Sequence, residues 1–324
     1  MSLAKLKVFN QYAKGSMTEV LQQQVELFNG ATRGTIVLTV KPQDGDFSDA
    51  SFWKRVEGLV RRRNSYGTGA VTAVDLEQLQ DTSVKVAAGT PPVNIPPSRM
   101  KWILKEPKEQ AVIYGQQLAI EMLADMLNVS IAAVRAALVQ EGSNVFDGTA
   151  NKLSWLALNS GQSKFGDRAS RIAAWVTHSK PVFDLWEGNL TNANNLFTFG
   201  TVNVIADPWG RPVIMTDSPD LIDPTGIGSG PNVPSYFSLG LVPGAVSVMD
   251  NGDFEQNIET SNGDENIKRT IQSEWSYNVG VKGFAWDKAN GGKSPTTAAI
   301  GTGTNWDKYA SSTKDLAGVV VETK

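Results

Sequence analysis

The chain contains no cysteine and a single histidine, His178. The first absence excludes disulfides, thiolate zinc sites and cysteine nucleophiles, and it suits a reducing compartment. The second excludes any site that needs two imidazoles, the HExxH zinc hydrolases among them. Charge of one sign is not in excess. Lys and Arg number 30 against 33 Asp and Glu, a net charge of −3, so there is no bulk basic character to hold nucleic acid. No run approaches the ~18 consecutive apolar residues of a membrane span. The opening MSLAKLKVFNQ has lysines but lacks the apolar stretch of a signal peptide. What remains is 324 residues with 41% hydrophobic content, enough for a real core in two domains or in one domain with long arms.

The strongest helical signal runs from Pro107 to Gln140. Pro107 suits a first helical position, where its missing N–H is an orphan in any case. Ala111, Gly115, Leu118, Ala119, Met122, Leu123, Met126 and Leu127 share one broad face, while Gln117, Glu121 and Asp125 form a narrow polar strip. A helix apolar over more than half its circumference is expected between layers. Asn128 and Ser130 predict a kink or break, with Ser130 capping a second short helix.

Before this helix, residues 1–15 read as an arm. Ser16 opens a short amphipathic helix with Val20, Leu21, Val25 and Phe28 on one side, closed by Asn29-Gly30. A helix so short needs a docking surface. TIVLTV (35–40) and TSVKVA (82–87) read as strands, separated by a polar stretch from Gly45 to Gly69 in which Phe52, Val56, Leu59 and Val60 suit a helix face or a twisted strand. The proline-rich GTPPVNIPPSRMKW follows. Residues 34–105 thus describe an extended, two-stranded excursion with little core of its own.

After the helix, AWVTH (174–178) reads as a buried strand and Pro181–Trp186 as a helical turn or short helix. Strands are expected at Phe197–Val204, Arg211–Thr216, Tyr236–Leu241 and Ala245–Met249, with a loop over Asp223–Pro234. Asn251-Gly252 and Asn262-Gly263 mark turns of a meander. Ile267–Asp287 forms one long alternating strand, and LAGVVVET a last strand or tail.

Motifs that carry chemistry are few. Gly292-Lys293-Ser294 resembles the end of a P-loop, but Asp287 stands where its first glycine belongs. Gly226, Gly228 and Gly230 form a GxGxG that runs into Pro231 and opens no helix. A Ser/His/Asp triad would have to use His178, yet no G-x-S-x-G elbow presents a serine, so His178 reads as a structural group at a strand end. Asp250, Gly252, Asp253 and Glu255 resemble part of a calcium loop out of register, and a hairpin turn explains them. LADMLNVSIAAVRAAL has the outline of a helix-turn-helix, but Arg135 is the only cation in its second half, and Glu121 and Asp125 would repel a phosphate backbone. Arg61-Arg62-Arg63 is the densest positive cluster. It reads as a solvated face, or as a contact with a neighbouring subunit or enclosed nucleic acid. No residues mark a catalytic, cofactor or metal site.

From Trp175 onward the sequence resembles the tailed-bacteriophage major capsid proteins of the HK97-like fold. The residues are WVTHSKPVFDLWEGNL followed by GRPVIMTDSP: His178, Ser179, Leu185, Gly210, Arg211, Val213, Asp217 and Pro219. LVPGAVSV, SYNVGVKGFAW, EGLVRRRN and DTSVKVAAGTPPV extend the likeness over most of the chain, in the family's order. The resemblance implies an α+β fold with an N-terminal arm (1–33), an extended E-loop (34–105) and a peripheral domain with a spine helix (106–150). An axial domain (151–244) and late peripheral strands with a C-terminal segment (245–324) complete it. It implies a non-enzymatic virion protein, assembled in the host cytoplasm, that self-assembles into hexamers and pentamers of an icosahedral head around double-stranded DNA. Scaffolding, portal and decoration proteins are implied partners, and packaged DNA would be touched only non-specifically. No cofactor is implied. The neighbouring expectation within the fold is an encapsulin-like shell holding cargo.

Overall fold

The structure is a computed structural model that describes residues 3–43, 45–53, 60–73, 75, 77–94, 107–187, 195–199, 202–206, 209–224, 233–262, 265 and 267–324. The helices are α1 (Leu3–Ala31), α2 (Pro107–Glu141), α3 (Trp155–Ser163), α4 (Ser179–Glu187) and α5 (Thr297–Ile300). The early strands are β1 (Ile36–Val40), β2 (Phe47–Trp53), β3 (Gln78–Gly89), β4 (Val93–Asn94) and β5 (Val145–Gly148). Next come β6 (Ala174–Thr177), β7 (Asn195–Phe199), β8 (Val202–Ala206), β9 (Pro212–Met215), β10 (Ile222–Asp223), β11 (Ser235–Leu241) and β12 (Val246–Asp250). The last are β13 (Glu255–Ser261), β14 (Lys268–Val281), β15 (Phe284–Trp286), β16 (Trp306–Lys308) and β17 (Gly318–Thr323). Val56, Leu59 and the glycines of Gly226–Gly230 lie outside the described residues.

The expected break in α2 is absent. The helix is continuous over 35 residues, roughly 50 Å at 1.5 Å per residue. Ser130 does not cap a new helix, because its hydroxyl donates back to the Met126 carbonyl at 2.6 Å, one turn earlier. With no turn there is no helix-turn-helix, and the second half of α2 is buried on almost every side. That burial also explains its composition. By length and hydropathy Ala111–Glu141 has the character of a membrane span, yet it is core, in contact with β12 and β14 of one sheet and β17 of the other.

The N-terminal segment also departs from expectation. In place of an arm and a short helix there is one 29-residue helix, α1, which packs along α2. Its buried stripe is Phe9, Ala13, Met17, Leu21 and Phe28, at the i, i+4 and i, i+7 spacings of a helix face. Gly115 makes the approach possible: a Cβ there would collide with the Ala13 carbonyl and crowd the Met17 amide. Asn29-Gly30 does not terminate the helix. The left-handed residues come later, at Arg33 (φ 50°) and Gly34 (φ 66°). Asn29 instead braces the adjacent strand. Its Nδ2 donates to the Leu38 carbonyl at 2.8 Å and its Oδ1 accepts from the Leu38 amide at 2.9 Å. Because β1 is an end strand of its sheet, this double bond occupies edge groups that would otherwise invite another strand.

Two sheets flank α2. The nine-stranded one runs β1-β12-β14-β15-β16, with β13, β3 and β4 also paired to β14 and β2 paired to β3. The long strand β14 alternates buried and exposed residues up to Glu274 and is buried on both faces from Trp275 onward. The eight-stranded sheet runs β5-β17-β11-β6-β9-β8-β7, with β10 on β11. The C-terminal LAGVVVET therefore supplies β17, inserted between β5 and β11 of a sheet otherwise built from residues 145–241. Around Trp175, fully buried, the packing relies on missing side chains. A Cβ on Gly240 would stand 2.8 Å from its ring, and Val319, Val320 and Val321 are buried beside it.

Candidate functional site

The β2–β3 pair is an antiparallel hairpin in register from Phe47↔Val84 to Trp53↔Gln78. Its root is fastened to the body. β3 continues along β14 from Val84 to Gly89. Asp49 accepts hydrogen bonds from Thr82 and from Lys288, each at 2.7 Å. The Lys288 ammonium beside it, with Thr82, holds the Asp49 carboxyl below its ordinary range. Lys293 lies 3.0 Å from Asp46, and the Phe52 ring meets Tyr309 at 5.0 Å. Burial raises Asp81, and burial together with the nearby Asp81 charge pushes Tyr309 up to about 12.

Beyond this root the contacts stop. Residues 60–73 are exposed throughout, with Val60 at 93% and Tyr66 at 95%. Arg61, Arg62 and Arg63 all lie in this stretch, so the structure puts the candidate cluster at an exposed tip between two strands.

The sequence missed a groove beside the hairpin root. It runs between α2 and the β3–β14 surface, has a volume of about 680 Å³, and is lined by Val86, Leu118, Glu121, Asp125, Trp275 and Tyr277 among others. At its floor the Tyr277 hydroxyl donates to Asp125 at 2.6 Å, and burial drives the tyrosine ionisation upward. The polar strip Gln117–Glu121–Asp125 was visible in the helix pattern. Its facing wall was not, because β3 and β14 are nearly two hundred residues apart in the chain.

The remaining candidates resolve as structure. His178 Nδ1 accepts the Lys180 amide at 3.2 Å, which satisfies an orphan N–H in the first turn of α4. Its Nε2 lies 3.5 Å from Asp217 at the end of the neighbouring strand β9. Burial lowers its pKa and Asp217 partly opposes the shift. Of the family-like residues, the fold thus brings His178 and Asp217 together. Asp250 accepts from the Gly252 amide at 2.9 Å, and Asp253 accepts from the Ser276 amide and hydroxyl. The first is a turn contact and the others tie the loop to β14, and among the described residues no group of acidic side chains could hold a metal ion. Gly292-Lys293-Ser294 is a turn whose Gly292 carbonyl accepts from the Trp286 indole at 3.1 Å.

A family model described as Gp13-like, major capsid protein 13-like, matches residues 5–320. No curated protein matches the sequence. Among solved structures, the chain is similar to the head structure of Helicobacter pylori bacteriophage KHP40 (10% identity, 91% of this chain and 88% of that chain, TM-score 0.52). It is similar to Mycobacterium phage Cain (12%, 89% and 88%, TM-score 0.51) and to the capsid of Ralstonia phage GP4 (10%, 89% and 86%, TM-score 0.50). At such identities the likeness is one of fold, the α+β HK97-like fold of phage capsids. The family match over nearly the whole length carries the rest: the chain belongs to the major capsid protein 13-like family, structural proteins of the phage head.

Proposed function

We propose that copies of this chain form hexamers and pentamers that close into an icosahedral head around double-stranded DNA. The observation that carries this is the hairpin whose tip, residues 60–73, finds nothing to pack against in its own chain among the described residues. Identical subunits that each present one unburied projection and one receiving surface associate head to tail, and such contacts make a ring when the rotation between neighbours closes. In this reading 34–105 is the E-loop, 106–150 carries the spine helix, 151–244 forms the axial domain and 245–324 the late peripheral strands. Residues 1–33, expected as an N-terminal arm, carry α1, whose apolar stripe is buried on α2 of the same chain. Arg61, Arg62 and Arg63 serve as intersubunit or DNA-facing contacts. Scaffolding, portal and decoration proteins are partners of the shell, no cofactor takes part and the subunit performs no chemistry.

The test is electron microscopy of the purified chain, alone and co-expressed with the neighbouring head genes. Rings of five and six subunits or closed shells are expected. A monomer under every condition would overturn the proposal, and shells that enclose protein cargo in place of DNA would favour an encapsulin-like role.

A further inference from the structure

Helix α1 and the end of the nine-stranded sheet leave an apolar crevice between them. It has a volume of about 500 Å³ and is lined by Leu21 and Val25 of α1, Leu38 and Val40 of β1 and Met126 of α2. Val40 is 64% exposed. Glu26 and Asp250 add two carboxylates, and no lysine or arginine is among the described lining residues. Glu26 makes no ion pair among the described residues. Asp250 accepts from the Gly252 amide, and burial, with the Asp253 charge beside it, holds its carboxyl above the ordinary range. The crevice also opens on a vacant position of the sheet edge. Outward-facing backbone groups alternate along β1. At Ile36 the carbonyl accepts from the Thr32 hydroxyl, and at Leu38 both groups are held by Asn29. The Lys41 amide points inward to the Asp250 carbonyl. The Val40 N–H and C=O therefore point outward, and no described residue bonds to them there.

We infer that an extended, basic segment of a separate protein docks here. Its backbone pairs with Val40, one large apolar side chain fills the crevice, and its lysines or arginines face Glu26 and Asp250. A free edge beside an apolar pocket is the arrangement that accepts an added strand, the backbone supplying affinity and the pocket selecting side chains. The pairing is short, because Thr32 and Asn29 close the edge on one side and Pro42, which has no N–H, follows on the other. Specificity then falls to the crevice and to charge. A nucleic-acid backbone would be repelled by the same two carboxylates, whereas a basic segment is steered to them. The inference goes beyond the shell reading and does not depend on how the shell closes.

The absence of cysteine makes a clean test possible in the full chain. Gln22→Cys places one thiol at the crevice wall, and an environment-sensitive dye on it reports occupancy. The probe is a short capped peptide in which lysines and valines flank a central phenylalanine. Its control carries glutamates in place of the lysines. The lysine peptide should shift the dye saturably and bind about tenfold more tightly than the glutamate peptide, the difference between attractive and repulsive pairs at the rim. Glu26→Lys, a change of one exposed side chain, should erase or invert that preference. Val40→Pro, which removes the outward N–H at an edge where proline is tolerated, should weaken the lysine peptide while the thermal midpoint of the chain holds. Equal binding of the two peptides would overturn the charge reading, and a Val40→Pro chain that binds as the parent does would overturn the strand pairing. No binding of either peptide would overturn the site itself. A dye that shifts on particle assembly with no peptide present would give the crevice to a second copy and overturn the proposal, with the shell reading left standing.

Discussion

The β2–β3 hairpin and the β17–β11–β6 part of the eight-stranded sheet are both antiparallel β structure, yet they solve opposite problems. In the sheet, Trp175, Leu239, Val319, Val320 and Val321 are buried, and the backbone at Gly161 and Gly240 makes room for the indole and the valines. In the hairpin, contact falls away from Phe47 toward the tip, until only solvent surrounds Val60 and Tyr66. The sheet buries its apolar surface within the subunit, and in the proposed reading the hairpin leaves its own for other copies. Substitutions should therefore divide cleanly, with stability lost in the first region and assembly lost in the second.

The largest effect is expected at the centre of the sheet. Trp175→Ala removes a large, fully buried side chain, and the surrounding valines can refill the space only in part. Destabilisation of about 3–5 kcal/mol should follow. Denaturant unfolding of the unassembled subunit measures it, and a loss near zero would mean that this sheet is not the stabilising core.

The next is at the helix crossing. Gly115→Val forces a branched side chain into the Ala13 backbone, so α1 must move away from α2. A cost of about 1–3 kcal/mol is expected, with α1 becoming the first site of limited proteolysis. If α1 stays protected, the close approach is not what holds the N-terminal segment to its own chain.

Comparison of the two regions also explains what the sequence could reveal. The long helix and the strands β1, β3, β6, β9, β11 and β12 were legible, because period and flanking residues act locally, whereas β2 lies in a polar stretch that suited a helix face as well as a strand. The continuity of α2 was not. Asn128 and Ser130 are poor helix formers, but burial between two sheets outweighs a few tenths of a kcal/mol of propensity, and Ser130 satisfies its hydroxyl on Met126. The reach of α1 was missed for a related reason. Phe9 and Ala13 make sense as a face only once α2 and Gly115 are there to receive them. Arg61–Arg63 could be singled out as a cluster, but their place at an exposed tip and the groove's far wall depend on pairings distant in the chain.

A smaller effect, with a pH signature, is expected at His178. His178→Gln loses the Nδ1 acceptor for the Lys180 amide, though an amide oxygen restores part of it, so about 1–2 kcal/mol is expected. Burial lowers the folded pKa below its ordinary 6.5. The unfolded chain then takes up the proton more readily than the folded one, so this contribution is whole above that value and declines as pH falls beneath it. The difference in stability between wild type and variant should therefore shrink on acidification. A difference constant across that range would show that protonation of His178 is not coupled to folding.

The smallest effect on the subunit is expected at the tip, and it sharpens the comparison most. Val60→Ser, Tyr66→Ser and Val71→Ser alter three exposed side chains in a stretch with no buried residue. Surface changes of this kind lie within about 0.5 kcal/mol, so the thermal midpoint of the unassembled subunit should stay where it is. The root contacts of Asp49 with Thr82 and Lys288 are untouched, and the hairpin keeps its register. Assembly is another matter, because each subunit repeats the same loss at every contact it makes, and weak deficits multiply around a closed ring. Particle yield should fall sharply at a subunit concentration that suffices for the wild type, and recover in part when that concentration is raised. A variant that unfolds early would show that the tip belongs to the subunit core. One that assembles at the wild-type concentration would show that the shell is held elsewhere.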